Sequence, residues 1–386
     1  MVQGAEFATI IWYAFGHRLC YHVLMRMTFL LPGYPWRPVG GFRVVYEYAN
    51  NLAARGHSVA VVHPRRMPNY SPPAPSRLRT RLGLEAGRIR NVLAKPKVRW
   101  NPIDGRVRML YVPEPAEQHM PDADAVIATA WQTAEYVAEY PNRKGAKFYL
   151  IQHYETWSGP EERVRATWLA DLKKIVIARW LYEKALELGV HQSDMLHVQN
   201  GIDHSRFRIH RPVEGRGATV AMLASSLDWK ATPDGLRALE AAKRGSPGLA
   251  ALLFGTGPEP KGLPIWVEYF RDPPQTYLIE HIYNTSSIYL CPSIAEGWAL
   301  PPAEAMACGC ALVSTDIAGV RDYAEHGVTA LLSPVGDHGR MAENLLRLLA
   351  DPSRRADIAL AGSRRIQDFT WQRSTDLLEE FVRNNP

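Results

Sequence analysis

GGFRVVYEYANNLAARGHSVAVVHP, residues 40–64, decides the architecture of the first half of the chain. Residues 40–57 read as a helix closed by a glycine, and SVAVVHP (58–64) reads as a buried strand. Just upstream, MTFLLPG (27–33) is a second apolar run that ends in a turn. Strand, helix and strand in this order make a βαβ unit, whose strands must run parallel because a helix has to carry the chain back across the sheet.

The alternation continues outward. ADAVIATA (123–130), KFYLIQH (147–153) and KIVIAR (174–179) read as strands, and WQTAEYVAEY (131–140), RVRATWLADL (163–172) and WLYEKALELG (180–189) as helices between and after them. Near HVQNGIDHSRF (197–207) the pattern restarts. ATVAMLAS (218–225), LAALLFGTGP (249–258), SIYLCPS (287–293) and ALVSTD (311–316) read as strands, with PDGLRALEAAKRG (233–245) and TYLIEHIYNTS (276–286) as helices. The pattern predicts an α/β chain of two doubly wound, Rossmann-like parallel-sheet domains, divided near residue 207. Ligands of such sheets bind at the carboxyl ends of the strands, so the two edges are expected to face one another across a cleft.

Composition is consistent with this and narrows the function. With 386 residues, 46% apolar and 22% charged, the chain has length for two cores of ordinary size. Its four cysteines, Cys20, Cys291, Cys308 and Cys310, show neither metal-ligand spacing nor a disulfide framework, and suit small buried residues of a reducing compartment. No apolar run reaches membrane-spanning length. Residues 1–24 lack the basic leader and cleavage site of a signal peptide and are left as an extension of unassigned role.

The net charge of +6 is concentrated between Arg77 and Arg108, where ten Lys or Arg face only Glu85 and Asp104. Leu78, Leu82, Ala86, Ile89 and Leu93 recur there at helical spacing. A basic amphipathic helix over 77–99 fits peripheral contact with an anionic membrane face or an acidic acceptor, and equally a helix packed on its own domain with a solvated basic side. Nucleic acid is not expected, since no recognition motif accompanies the charge.

EGWALPPAEAMACGC (296–310) carries the chemistry. Proline at the first helical position loses no hydrogen bond, so Pro301 or Pro302 is expected to start a helix with Glu304 in its first turn. Glu296 then lies in the preceding loop. The two acids bracket a helix N-terminus, a site suited to anions such as phosphate.

Together with NGIDHSRF (200–207), FGTGP (254–258), the long stretch 290–337 and FTWQRS (369–374), this segment resembles the retaining glycosyltransferases of the GT-B fold, in particular family 4. The second half matches almost throughout. VRWNPIDGRVRMLYVPE (98–114) and DADAVIATAWQTAEYV (122–137) are similar to rhamnosyltransferases of bacterial surface-glycan assembly. The resemblance implies an acceptor-side domain over 25–207, a nucleotide-sugar-binding domain over 208–370, and a C-terminal helix, 371–386, that crosses back to the first domain.

It further implies that Glu304 accepts from the ribose diol, that Gly297, Trp298, Ala299 and Leu300 face the diphosphate and sugar, and that Glu296 reaches the sugar hydroxyls. Lys230 is the expected phosphate-directed cation. Ser225 or Ser226 stands where the family commonly has an Arg. Gly41 and Gly255 fall to the donor and Gly40 to the acceptor side, although a tight structural turn would explain the Gly40–Gly41 pair equally well. His153 fits a direct role or a structural one, and Trp131 a sugar-stacking wall or an ordinary core aromatic. The implied reaction moves a sugar from a nucleotide-diphosphate donor to a glycan or lipid-linked acceptor without cofactor or metal, in the cytoplasm or at the inner membrane face. A catalytically silent sugar-nucleotide or glycan-binding subunit is the alternative.

Overall fold

The computed structural model describes residues 24–34, 36–69 and 98–386. The extension up to residue 23 and the basic stretch 77–97, with the surface contact expected of it, lie outside the described residues.

Two parallel sheets form the framework. The first has seven strands, β1 (Arg26–Leu30), β2 (Ser58–Pro64), β3 (Arg108–Val112), β4 (Ala125–Ala128), β5 (Ala146–Ile151), β6 (Lys173–Val176) and β7 (Met195–His197), in the order β3-β2-β1-β4-β5-β6-β7. The second has six, β8 (Thr219–Leu223), β9 (Ala250–Gly255), β10 (Val267–Arg271), β11 (Ile288–Cys291), β12 (Ala311–Thr315) and β13 (Ala330–Ser333), in the order β10-β9-β8-β11-β12-β13. In each sheet the order reverses beside its first strand, which opens a crevice at the carboxyl edge.

The central strands are covered on both faces, which is why they read as unbroken apolar runs. In β1, Met27, Phe29 and Leu30 are almost completely buried, paired in register with Val59, Val61 and Val62 of β2. Each such side chain contributes about 1.5–3 kcal/mol by leaving water. Helix α1 (Gly40–Ala54) packs on this sheet through Val44, Val45, Tyr48, Ala49 and Leu52 and ends before Gly56, whose φ of 95° lets the chain turn straight into β2.

Strands β3, β7, β10 and β13 were not among the runs expected from sequence. All four close a sheet edge, and β3 and β10 are largely exposed or half-buried, so neither carries a continuous apolar signal. The helix expected over 276–286 is a single turn, Gln275–Tyr277, that runs into a π-helix, Leu278–Tyr283. This widening turns Tyr283 inward to full burial beneath the cleft.

The chain passes between the sheets twice, and the two crossings lie side by side. Ile202 donates its N–H to the Phe369 carbonyl at 3.0 Å, and a Cβ on Gly201 would lie 2.1 Å from the Trp371 nitrogen. Only glycine fits there. Beyond this crossing the last helix, Trp371–Arg383, packs on α1: Tyr48 meets Trp371 edge to face, and Arg55 and His57 reach Glu379 at 2.8 and 3.2 Å. Hydrogen bonding from His57, together with Arg55, holds the Glu379 carboxyl down at about 2.

Candidate functional site

Between β11 and the next helix, α2 (Leu300–Ala307), the loop 292–299 lies at the carboxyl edge of the second sheet. Its shape is pinned at several points. Thr315 Oγ1 donates to the Ser293 carbonyl at 2.5 Å, Ser293 Oγ donates to Glu296 at 2.8 Å, and Ile294 N–H donates to the Trp229 carbonyl at 2.7 Å.

The helix starts one residue earlier than the prolines suggest. Leu300 is its first residue, and Pro301 and Pro302 occupy the next two positions, whose N–H groups would be unbonded in any case. Glu304 therefore falls in the second turn and not the first, and points into the protein with 3% of its surface exposed. The Ala299 N–H donates to the Gly319 carbonyl at 3.2 Å and is not available to a diphosphate. Trp298 is buried against Tyr323 and Phe369.

Lys230 ends the turn Asp228–Lys230 that follows β8, ahead of the helix Thr232–Gly245. Ser225 and Thr232 close this loop on themselves, the Ser225 N–H donating to Thr232 Oγ1 at 2.8 Å and that hydroxyl donating to the Ser225 carbonyl at 2.9 Å. Ser226 is exposed beside them. The loop delivers Lys230 Nζ to within 2.6 and 2.9 Å of the two Glu296 oxygens, with both side chains more than four-fifths buried. A cavity lined by Lys230, Ser293, Glu296, Pro301 and Pro302 opens at the start of α2. Cation, carboxylate and helix N-terminus thus converge.

The first domain supplies the facing wall. After β5, Gln152 donates its side-chain Nε2 to the Gly41 carbonyl at 3.0 Å. Its own carbonyl oxygen lies 1.8 Å from where a Cβ on Gly297 would be. Gln152 is thus wedged between two glycines, one from each domain. Trp180 adds a hydrogen bond across the cleft, from its Nε1 to the Gly297 carbonyl at 2.8 Å, and Arg37 another to the Thr256 carbonyl at 3.1 Å. Gly40, one residue from this wedge, has open space where a Cβ would go.

His153 stands edge to face against Trp157 and Trp180, at 4.4 and 5.2 Å. Burial pushes its imidazole down to about 4, while Glu296 and Lys230 pull it in opposite directions from across the cleft. The ring is therefore neutral at physiological pH. Trp157 also packs on Trp229 of the Lys230 loop at 5.3 Å, bringing one indole from each domain together.

The deepest contact between the domains joins Glu304 to Arg43 of α1. The guanidinium pairs with one carboxylate oxygen, the Tyr283 hydroxyl donates to the other at 3.4 Å, and Arg43 also lies 5.3 Å over the Phe207 ring. Burial raises the Glu304 carboxyl above its ordinary range, opposed by Arg43, Tyr283 and Arg206.

One expected site residue belongs elsewhere, and another has a structural role of its own. Trp131 has no exposed surface: its indole donates to Ser158 Oγ at 2.9 Å and is covered by Arg163, so it is a core aromatic and not a sugar-stacking wall. A Cβ on Gly255 would lie 2.1 Å from the Ala224 carbonyl, so this glycine serves the close approach of the β8 and β9 ends.

Sequence reasoning missed Arg43, Gln152, Trp157, Trp180, Trp229 and Tyr283. One carried a signal. A cation near the start of a helix opposes the helix dipole, so Arg43 is poorly placed for α1 itself and needs a partner elsewhere.

Residues 271–365 match the family Glycosyl transferases group 1. Alpha-maltose-1-phosphate synthase of Mycolicibacterium smegmatis is 31% identical over 124 residues, 30% of this chain and 32% of that protein. D-inositol 3-phosphate glycosyltransferase of Saccharomonospora viridis is 28% identical over 211 residues, 48% of this chain and 49% of that protein. The chain thus spans between a third and a half of these curated relatives. Among solved structures, Anabaena HepE in complex with UDP and glucose superposes with a TM-score of 0.69 at 15% identity, covering 93% of this chain and all of that one. Sucrose-phosphate synthase of Thermosynechococcus elongatus gives 0.70 at 17% identity over 93% of this chain and 98% of that one. The fold is the GT-B arrangement of two Rossmann-like domains.

Proposed function

We propose that this chain is a retaining glycosyltransferase that moves a sugar from a nucleotide-diphosphate donor to a hydroxyl of a glycan or lipid-linked acceptor. The observation that carries this reading is the pairing of Lys230 with Glu296 at the N-terminus of α2, with Glu304 on the same helix. Glu304 accepts from the ribose hydroxyls, and the helix start and Lys230 face the diphosphate. Glu296, already oriented by Ser293 and Lys230, accepts from the hydroxyls of the transferred sugar.

In the reaction the bond from the anomeric carbon to the phosphate oxygen breaks and a bond to the acceptor oxygen forms on the same face. The acceptor proton passes to the departing phosphate. Lys230 offsets the charge that grows on the diphosphate, the kind of fixed electrostatic support worth most in a water-poor cleft. His153, neutral and set edge to face against two indoles, shapes the sugar pocket and moves no proton. The wedge at Gln152 brings the acceptor-side wall against the donor loop.

UDP-sugars are the first donors to test, because HepE is solved in complex with UDP. The likeness of residues 98–114 and 122–137 to rhamnosyltransferases adds a deoxyhexose as the transferred sugar. A thermal-stability screen of the purified protein against UDP-, ADP-, GDP- and dTDP-sugars tests the reading. Stabilisation by one base class supports it, and no stabilisation by any contradicts it.

A further inference from the structure

We infer that Arg43 is a donor-positioning residue: carried by the first domain, it fixes the carboxylate of Glu304 against the ribose diol of a nucleotide bound to the second. The inference rests on the assignment of Glu304 to the ribose and names how that residue is made competent.

A carboxylate as buried as Glu304 is pushed toward its protonated form, and a protonated carboxyl accepts far more weakly from hydroxyl groups. The second domain opposes this with little of its own. Tyr283 from the π-helix donates a long hydrogen bond, Tyr289 of β11 and Cys308 just past α2 are uncharged neighbours, and Arg206 acts from the segment between the domains without touching the carboxylate. The full charge in contact with it is Arg43. That guanidinium is itself held in place by the Phe207 ring, and half-buried Glu47, one turn along α1, faces both Arg43 and Arg206. Its position opposes the α1 dipole, so the helix gains nothing from it locally. Both the orientation and the ionisation of the ribose-binding group in one domain thus depend on a side chain of the other, and nucleotide recognition is coupled to domain contact.

The test is calorimetric binding of UDP, ADP and GDP, each against its 2′-deoxy form, by the full chain at several pH values. Wild type is expected to prefer the ribonucleotide by about tenfold at pH 7, as for one hydrogen bond to a charged group. Arg43→Gln should lose most of the preference at pH 7 and recover part of it as the pH is raised, as Glu304 ionises without its partner. Arg43→Lys should retain it at pH 7.

The inference is overturned if folded Arg43→Gln keeps the wild-type preference at pH 7, or if it loses ribo- and deoxynucleotide affinity alike with no recovery as the pH is raised. Should Arg43→Gln not fold, the wild-type profile still decides, because a preference that disappears near pH 7 shows that Arg43 does not keep Glu304 charged. A wild type that binds nucleotides but ignores the 2′-hydroxyl overturns the ribose assignment itself. One that binds none of them overturns the proposed function.

Discussion

Gly297→Ala is the sharpest perturbation of the cleft. The φ of Gly297 is outside the left-handed region, so alanine brings no backbone penalty, and its effect comes from one contact. The added Cβ would lie 1.8 Å from the Gln152 carbonyl oxygen, where real side-chain carbons do not come within about 3.0 Å. The obstructing atom is backbone, anchored by β5, so the donor loop and the acceptor-side wall must separate by more than about 1 Å. A misplacement of that size costs on the order of a hundredfold in rate, or about 2.7 kcal/mol of transition-state stabilisation. Nucleoside diphosphate affinity should fall by less than about tenfold, because Lys230, Glu296 and Glu304 all belong to the second domain and only the Arg43 contact is exposed to the shift. Steady-state release of nucleoside diphosphate, with calorimetry for affinity and small-angle scattering for domain closure, measures all three. Gly215→Ala, where a Cβ meets nothing, serves as the control. A Gly297→Ala protein with wild-type kcat/KM and unchanged scattering would refute the view that the Gln152 wedge sets the reactive distance.

Other outcomes follow from the same geometry. Glu304→Gln should weaken nucleotide binding by about tenfold or more and lower thermal stability, since Arg43 loses its charge partner; calorimetry and a melting curve read both. Glu296→Ala should reduce turnover far more than nucleoside diphosphate affinity, whereas Lys230→Ala should depress both, because phosphate is present in substrate and leaving group; kinetics beside binding separates them. His63 is fully buried, with Nδ1 2.9 Å from the Gly33 carbonyl and Nε2 3.3 Å from the Tyr46 hydroxyl, and burial lowers it to about 4. Its folded value lies below its unfolded value of 6.5, so the stability it contributes is present above pH 6.5 and lost as pH falls toward 4. That amounts to about 3 kcal/mol, to be read by comparing the pH dependence of chemical denaturation in wild type and His63→Gln.

How much of this was legible in the sequence follows from burial. β1, β2, β4, β5 and β11 stood out because strands covered on both faces must be apolar throughout. β3 and β10 did not, since a half-exposed edge strand shows no such run, and β7 is only three residues long. At the site, the GT-B resemblance pointed to Lys230, Glu296 and Glu304, all on loops or helix starts of one domain. Of the facing wall, only Gly41 and His153 were singled out. Gln152, Trp180 and Arg43 act through contacts between domains, which no local period encodes, and Trp131 stayed undecided because a tryptophan beside a strand end looks the same in sequence whether it faces the cleft or the core.

The central claim, transfer of a sugar from a nucleotide donor, is tested most directly by nucleoside diphosphate release from labelled UDP-, ADP-, GDP- and dTDP-sugars, with and without glycan and lipid-linked acceptor fractions. One donor should give release matched by label appearing in the acceptor, and Lys230→Ala should depress both strongly. A donor that binds tightly but releases nothing with any acceptor fraction, or release indifferent to Lys230→Ala, would contradict the claim.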